Sequence, residues 1–166
     1  MTQSPDSDLL SRIELISSRL EFGAPSPDWD QLLSTVLSHF GCPVGSVHVL
    51  APGDGLLHVR AAAGIPPAIR AQVERIPVGK GMAGLAAERR APVGACNLQT
   101  DASGDVRPGA KLTEMKGALC VPMLAGDELR GTFGVARPDE HVYDAAETTL
   151  LLAIGERVAR AIGGGR

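Results

Sequence analysis

The sequence predicts a single α/β domain of the α+β type, with a central antiparallel sheet of five or six strands in an α/β/α sandwich. Two pairs of apolar runs carry this prediction, because each pair is joined by a Gly/Asp turn typical of a β-hairpin. The runs are Val44–Leu50 with Leu56–Ala63, and residues 119–124 with residues 129–136. Amphipathic patterns before and after the hairpins predict long terminal helices on one sheet face. A chain of 166 residues that is 44% hydrophobic suits one domain with a substantial core.

Two helices are expected before the first hairpin. Residues 8–20 form the first, and its apolar stripe consists of Leu9, Ile13, Ile16 and Leu20. Proline and glycine in residues 22–27 then break the chain. Asp28 is expected to cap a second helix that ends at Gly41, because glycine favours the residue after a helix C-terminus.

The elements between the two hairpins are expected to be short. Residues 66–76 and 81–88 have the composition of two short helices, and residues 93–98 have that of a strand. Residues 99–116 are polar and predict a long loop. Because short helices and a loop cannot extend the sheet, we expect them to close its second face.

The last helix is expected to begin at Asp144. Asp144 and Glu147 have the spacing of a capping box, and Tyr143 can pack against the first turn. The apolar stripe of this helix consists of Leu150, Leu151, Ile154, Val158 and Ile162. Residues 163–166 are predicted to be a disordered tail.

Composition excludes several classes of partner. The formal net charge is −3, and no run of basic residues is longer than Arg89 and Arg90, so nucleic-acid binding is not expected. No apolar run has the ~18 residues of a membrane span, and the N-terminus lacks the basic region of a signal peptide. Three cysteines without close spacing predict a reduced, cytoplasmic chain. His48 and His58 could face each other across the first hairpin, but two imidazoles without a third nearby ligand make a poor zinc site, so no metal site is expected.

A G-x-G-x-x-G pattern is formed by Gly79, Gly81 and Gly84, with Asp101 about twenty residues further on. This spacing occurs in dinucleotide-binding folds, where it follows a buried strand in a βαβ unit. Here the preceding segment is short, charged and interrupted by Pro77, and the other strands form hairpins. The glycines are therefore expected to turn the chain into a short helix that packs closely on the sheet.

The same stretch carries a family resemblance. The segments that carry it are IPVGKGMAG (76–84), RAPV (90–93), Asn97, Leu98 and Asp101, GALCVPML (117–124) and LRGTFGV (129–135). Their order resembles that of a GAF domain, the small α/β sensory module of signalling proteins. The resemblance covers residues 28–162 and leaves residues 1–27 as an N-terminal helix and linker. It implies a non-catalytic domain that binds a small molecule, without naming the ligand or any cofactor.

An enzymatic alternative comes from GAF-like proteins that reduce free methionine sulfoxide with reactive cysteines. One of their thiols lies in a G-x-C-G element, where this chain has Ala83. The loop of residues 99–116 also lacks the cysteine that these enzymes carry there. Cys96 and Cys120 lie on predicted neighbouring strands, so a thiol pair between them stays open as an alternative to two inert buried thiols.

The expected ligand site lies between the sheet, residues 79–88 and the loop of residues 99–116. Apolar side chains, basic side chains and a helix N-terminus predict a small anionic or amphipathic ligand. Asn97 and Asp101 resemble a polar pair found in many GAF domains, and the alternative is that they only fasten the loop. The candidate ligand-binding residues are Met82, Leu85, Cys96, Asn97, Asp101, Arg107, Lys111, Met115 and Cys120.

The terminal helices predict an assembly. Both have apolar stripes, and one small sheet is not expected to cover both, so an exposed stripe is predicted to pair two chains with two-fold symmetry. A homodimer through the terminal helices is therefore expected, together with a partner signalling protein. A third possibility is a purely structural dimerisation module without a ligand.

Overall fold

The computed structural model describes residues 3–163 of the chain. Residues 164–166 of the predicted disordered tail lie outside this range, whereas Gly163 ends the last helix. In chain order the elements are α1 (Pro5–Ser17), α2 (Pro27–Phe40), β1 (Val44–Leu50), β2 (Leu56–Ala63), a 3-10 turn (Pro67–Ile69), α3 (Arg70–Glu74), β3 (Arg75–Pro77), α4 (Gly81–Arg89), β4 (Val93–Ala95), a 3-10 segment (Pro108–Thr113), β5 (Gly117–Ala125), β6 (Glu128–Arg137) and α5 (Ala145–Gly163).

All six strands form one antiparallel sheet in the order β3-β2-β1-β6-β5-β4. The predicted antiparallel sheet and both hairpins are confirmed, and β1 and β2 have the predicted bounds. The two hairpins meet at the centre, where β1 pairs with β6. The carboxyl half of the chain therefore completes a sheet that the amino half begins.

Each face of the sheet has its own cover. Helices α2 and α5 pack on one face, where the main core surrounds Trp29, Val121, Phe133 and Ile154, all of them fully buried. Helix α4 packs on the other face against β5 and β6, over smaller clusters that include Ala118 and Cys120. Because successive strand residues point to opposite faces, β5 and β6 contribute to both cores.

Helix α1 packs chiefly against α2 and α5 on the side of the main core. Leu9, Ile13 and Ile16 are buried there, and Leu20 packs at the edge. On α5, Leu151, Ile154, Val158 and Ile162 are buried as well. The prediction that one of the terminal stripes stays exposed is therefore wrong, because α2 and α5 together offer α1 an apolar groove within the same chain.

Three local predictions also need correction. Residues 66–76 do not form one helix, because α3 ends at Glu74 and residues 75–77 pair with β2 as an edge strand. The predicted strand of residues 93–98 ends at Ala95. Helix α2 has Ser26 rather than Asp28 at its N-cap, since Pro27 occupies the first helical position.

The helix-end predictions at Gly41 and Asp144 are confirmed. Gly41 adopts the left-handed conformation with φ of 66° after α2. The Glu147 amide donates to Asp144 Oδ1 at 2.8 Å and the Asp144 amide donates to Glu147 Oε1 at 3.0 Å, which is a complete capping box. Of the helices within residues 3–163, none combines the length and the hydropathy needed to cross a membrane.

Candidate functional site

A cavity of about 180 Å³ lies on the α4 side of the sheet. Its floor comes from the centre of the sheet, namely residues 44–46 of β1, 118–120 of β5 and 134–136 of β6. The floor is apolar apart from Ser46, and Gly134 places no side chain above it on the face that it shares with Cys120. The small residues of these strands therefore leave room above the sheet.

Three segments form the roof of the cavity, namely α3, α4 and the 3-10 segment, and they contact one another at glycine residues. Arg107 lies across Gly81 so closely that a Cβ there would come within 2.7 Å of the Arg107 Cδ. A Cβ on Gly109 would come within 2.6 Å of Gln72 Oε1 and 3.5 Å of Ile69 Cγ2. The 3-10 segment thus closes against both α4 and α3, and side chains at these two glycines would hold the roof apart.

The charge around the cavity is positive. Lys80 and Arg107 both line it, and neither side chain has a hydrogen-bond or ion-pair partner within residues 3–163. No Asp or Glu among the described residues is part of the lining. The nearby Asp105 carboxylate already accepts two hydrogen bonds from Arg89, each of 3.1 Å. An anionic group at the roof would therefore find two uncompensated cations.

The glycine pattern before α4 has a structural role. Gly79 and Gly81 have φ of 94° and 66°, values that favour glycine. Gly84 packs so tightly that a Cβ would lie 2.4 Å from the Pro77 carbonyl oxygen. Because β3 is a short antiparallel edge strand, the βαβ context of a dinucleotide site is absent among the described residues.

Three of the predicted site residues line the cavity together: Met82, Arg107 and Cys120. Leu85 and Met115 lie beside it and pack in the adjoining clusters around Cys120 and Ala118.

The remaining predicted residues serve the long loop or lie outside the cavity. Asn97 donates to Glu140 at 2.8 Å and accepts from the Gln99 amide at 2.9 Å. Asp101 accepts from the Ser103 hydroxyl at 2.6 Å. The Lys111 carbonyl accepts from the Gln99 side chain, and Cys96 is exposed. The loop-fastening interpretation of Asn97 and Asp101 matches these contacts.

Cys96 and Cys120 do not lie opposite each other in the sheet. Cys120 lies opposite Val93 in the β4–β5 pairing, so Cys96 is three residues, or roughly 10 Å, further along. Burial raises the pKa of the Cys120 thiol to about 12, against the smaller opposing effect of the Thr132 hydroxyl. Cys42 is buried with its Sγ 3.5 Å from the Tyr143 hydroxyl, and burial raises its pKa as well. Burial of Cys42 and Cys120 therefore disfavours their thiolate forms.

A buried histidine fixes one wall of the cavity. His48 Nε2 donates to the carbonyl of Val73, a lining residue of α3, at 2.6 Å, and the side chain is 1% exposed. Burial lowers the His48 pKa to about 4. The imidazole is therefore neutral and ties α3 to the sheet.

Sequence reasoning missed most of the floor and all of the α3 wall. The missed lining residues are Val44, Gly45, Ser46, Ile65, Ile69, Gln72, Val73, Ile76, Lys80, Gly81, Ala83, Leu98, Gly109, Ala110, Thr113, Ala118, Leu119, Gly134, Val135 and Ala136. A run of small residues in both hairpins was the available signal, but the strand register was needed to bring these residues together.

Comparison with known proteins identifies the family. The family model described as GAF domain matches residues 28–163. A search of curated proteins finds no match. The GAF domain of an Acinetobacter phosphoenolpyruvate-protein phosphotransferase superposes with a TM-score of 0.79 at 18% identity, over 99% of this chain and 96% of that one.

Two further solved structures have the same fold. The corresponding phosphotransferase GAF domain from Coxiella burnetii has a TM-score of 0.72 at 20% identity, covering 98% of this chain and 97% of that one. Free methionine-R-sulfoxide reductase from Neisseria meningitidis, solved with its substrate, has a TM-score of 0.77 at 14% identity, covering 100% and 95%. Sequence identities as low as these show that the fold is shared and nothing beyond the fold. From the match to the family model over most of its length, the chain belongs to the GAF domain family.

Proposed function

We propose that this chain is a non-catalytic sensory domain that binds a small molecule in the cavity above β1, β5 and β6. The observation that carries the proposal is the cavity itself: an apolar floor, a roof of three segments and two unpaired cations, Lys80 and Arg107. Ligand sites are typically concave and mostly apolar with a few polar groups that fix orientation. The ligand is a small molecule that is anionic or amphipathic.

Ligand binding would change the arrangement of the three segments that form the roof. A ligand that touches α3, α4 and the 3-10 segment favours the closed arrangement in which these segments meet at Gly81 and Gly109. The equilibrium shifts only by the difference in ligand affinity between the closed and open arrangements. A partner signalling protein would sense this difference, and the free thiol of exposed Cys96 fits a reduced, cytoplasmic setting.

The reductase alternative has weaker support. Structures with this fold include free methionine-R-sulfoxide reductases from Neisseria meningitidis and Staphylococcus aureus. In this chain, however, Ala83 lines the cavity at the position where the resemblance places a thiol, and Cys120 is held protonated. Thiol chemistry needs an accessible thiolate and a resolving partner. Cys96 is exposed, but Cys42 and Cys120 are both buried, so it has no accessible second cysteine within residues 3–163.

A blocked cavity tests the binding proposal. In Gly134→Leu, the Cβ would meet Cys120 Sγ at an ordinary 3.6 Å, so the strand can accept it while the rest of the side chain fills the cavity. Gly94→Leu is the matched control, because Gly94 is an exposed strand glycine outside the lining whose Cβ would meet Ala118 O at 3.6 Å.

The assays are native mass spectrometry of the purified protein and a thermal-shift screen of a metabolite library. We expect at least one ligand that stabilises the wild type and Gly94→Leu but not Gly134→Leu. A screen without any stabilising ligand, or equal shifts in Gly134→Leu, would favour the structural module without a ligand.

A homodimer through the terminal helices is part of the same proposal. The buried stripes no longer support it, but Leu15 on α1 is 66% exposed and gives that surface an apolar group. Light scattering at micromolar concentration is expected to give the dimer mass for the wild type and a lower mass for Leu15→Glu. A monomeric wild type would remove the dimer from the proposal.

A further inference from the structure

We propose that the ligand of this cavity is a compact apolar monocarboxylate without an amino group. This inference rests on the proposed binding function and names the class of ligand. It follows from the size of the cavity, the sign of its charge and the positions of its charged and apolar walls.

Size sets the first limit. An apolar cavity of about 150 Å³ holds one benzene molecule, and the cavity here has about 180 Å³. It therefore accepts roughly seven or eight apolar heavy atoms, by the same comparison. A nucleotide or a tetrapyrrole is too large to be enclosed by it, whereas a phenyl ring or a branched aliphatic chain fits.

Charge sets the second limit. Lys80 and Arg107 line the cavity without ionic partners, and the Asp105 carboxylate is already bound by Arg89. The Glu88 carboxylate lies against Gly79, outside the lining. A ligand carboxylate would therefore form charge-assisted hydrogen bonds at the roof. An ammonium group would find no carboxylate in the lining and would lie beside two cations, so it would be repelled rather than bound.

The two ends of the cavity orient the ligand. Lys80 and Arg107 belong to the roof, whereas the floor below them presents Ala118, Cys120 and Ala136. The carboxylate therefore lies at the roof and the hydrocarbon on the sheet. A free amino acid places an ammonium beside its carboxylate, next to the same two cations, so this arrangement selects against amino acids.

Three compounds with the same ring separate these effects: phenylacetate, its neutral amide 2-phenylacetamide, and phenylglycine, which adds the α-ammonium. Titration calorimetry with the wild type is expected to give the tightest binding for phenylacetate, with the other two weaker by about tenfold or more. Lys80→Met and Arg107→Gln should each reduce the preference for acid over amide. Arg107→Gln keeps the Cγ and Cδ that cover Gly81. Lys111→Met is the matched control, because Lys111 lies on the same segment but outside the lining.

The outcomes separate this inference from the function on which it rests. Amide or phenylglycine binding as tight as phenylacetate binding overturns the ligand class. The ligand class is also wrong if phenylacetate fails to bind at millimolar concentration and a library ligand of another class binds the wild type but not Gly134→Leu. In that case the proposed binding function still stands. If no library compound distinguishes the wild type from Gly134→Leu, both fail.

Discussion

His48 makes the stability of the domain depend on pH in a way that can be worked out from its surroundings. The imidazole is 1% exposed, donates from Nε2 to the Val73 carbonyl and leaves Nδ1 without a partner among the described residues. Protonation would add an N–H to a buried site with no acceptor. Burial lowers the His48 pKa from 6.5 to about 4, and the charges of Arg60 and His58 act in the same direction.

The sign and the size of this pH effect on the free energy of unfolding follow from proton linkage. Between pH 6.5 and pH 4 the unfolded chain protonates His48 and the folded chain does not, so the folded state loses stability as the pH falls through this window. Above pH 6.5 His48 is neutral in both states, so the folded state has its full stability with respect to this group. With 1.36 kcal/mol for each pKa unit, the free energy of unfolding falls by about 3 kcal/mol from this one group. This is a large part of the 5–15 kcal/mol that is typical of a domain.

His48→Gln isolates the effect. A glutamine Nε2 can still donate to the Val73 carbonyl but has no proton to gain in this range. Urea unfolding, followed by the fluorescence of the fully buried Trp29, gives the free energy of unfolding of both proteins from pH 7.5 to pH 4. The wild-type value should fall by about 3 kcal/mol more than the variant value. Parallel profiles would refute the reasoning, whatever the absolute stability of the variant.

Three further predictions concern packing, chemistry and the last helix. Gly84→Ala is expected to cost about 2 kcal/mol in urea unfolding, since its Cβ would lie 2.4 Å from a backbone oxygen, whereas Gly94→Ala should change little. The native protein should not turn over free methionine sulfoxide with a thioredoxin-type reductant, and an alkylating reagent should label exposed Cys96 well before buried Cys120. Turnover that is lost in Cys120→Ser would contradict this. Asp144→Ala removes one half of the capping box and should lower the free energy of unfolding by about 1 kcal/mol, whereas unchanged urea curves would exclude the cap.

Elements with local signals could be predicted well from the sequence. The β1–β2 hairpin has a Gly/Asp-rich turn between two β-rich runs, and both strands have the predicted bounds. The end of α2 at Gly41 is fixed by a residue that tolerates positive φ. These signals depend on a few neighbouring residues, so no tertiary contact was needed to interpret them.

Elements set by tertiary contacts could not be predicted in the same way. Residues 75–77 form a strand because β2 offers an unpaired edge, which their own sequence does not reveal. The stripe of α1 is buried because α2 and α5 leave a groove between them. In the candidate site, the I-P-V-G-K-G run led to Met82 and the polar loop led to Arg107, but the floor required the register of β1, β5 and β6.

The alternation of residues along β5 places the cavity and the main core on two sides of one strand. Ala118 and Cys120 face the cavity side, whereas Val121 and Met123 pack in the core with α5. Gly155 of α5 sits directly on Met123, since a Cβ there would lie 3.4 Å from the Met123 Cα. Close-packed interiors transmit displacement rather than absorb it. Under the proposed function, a ligand that moves β5 would act on α5 at this contact, and through α5 on α1, so the effect of binding would reach the terminal helices as well as the roof.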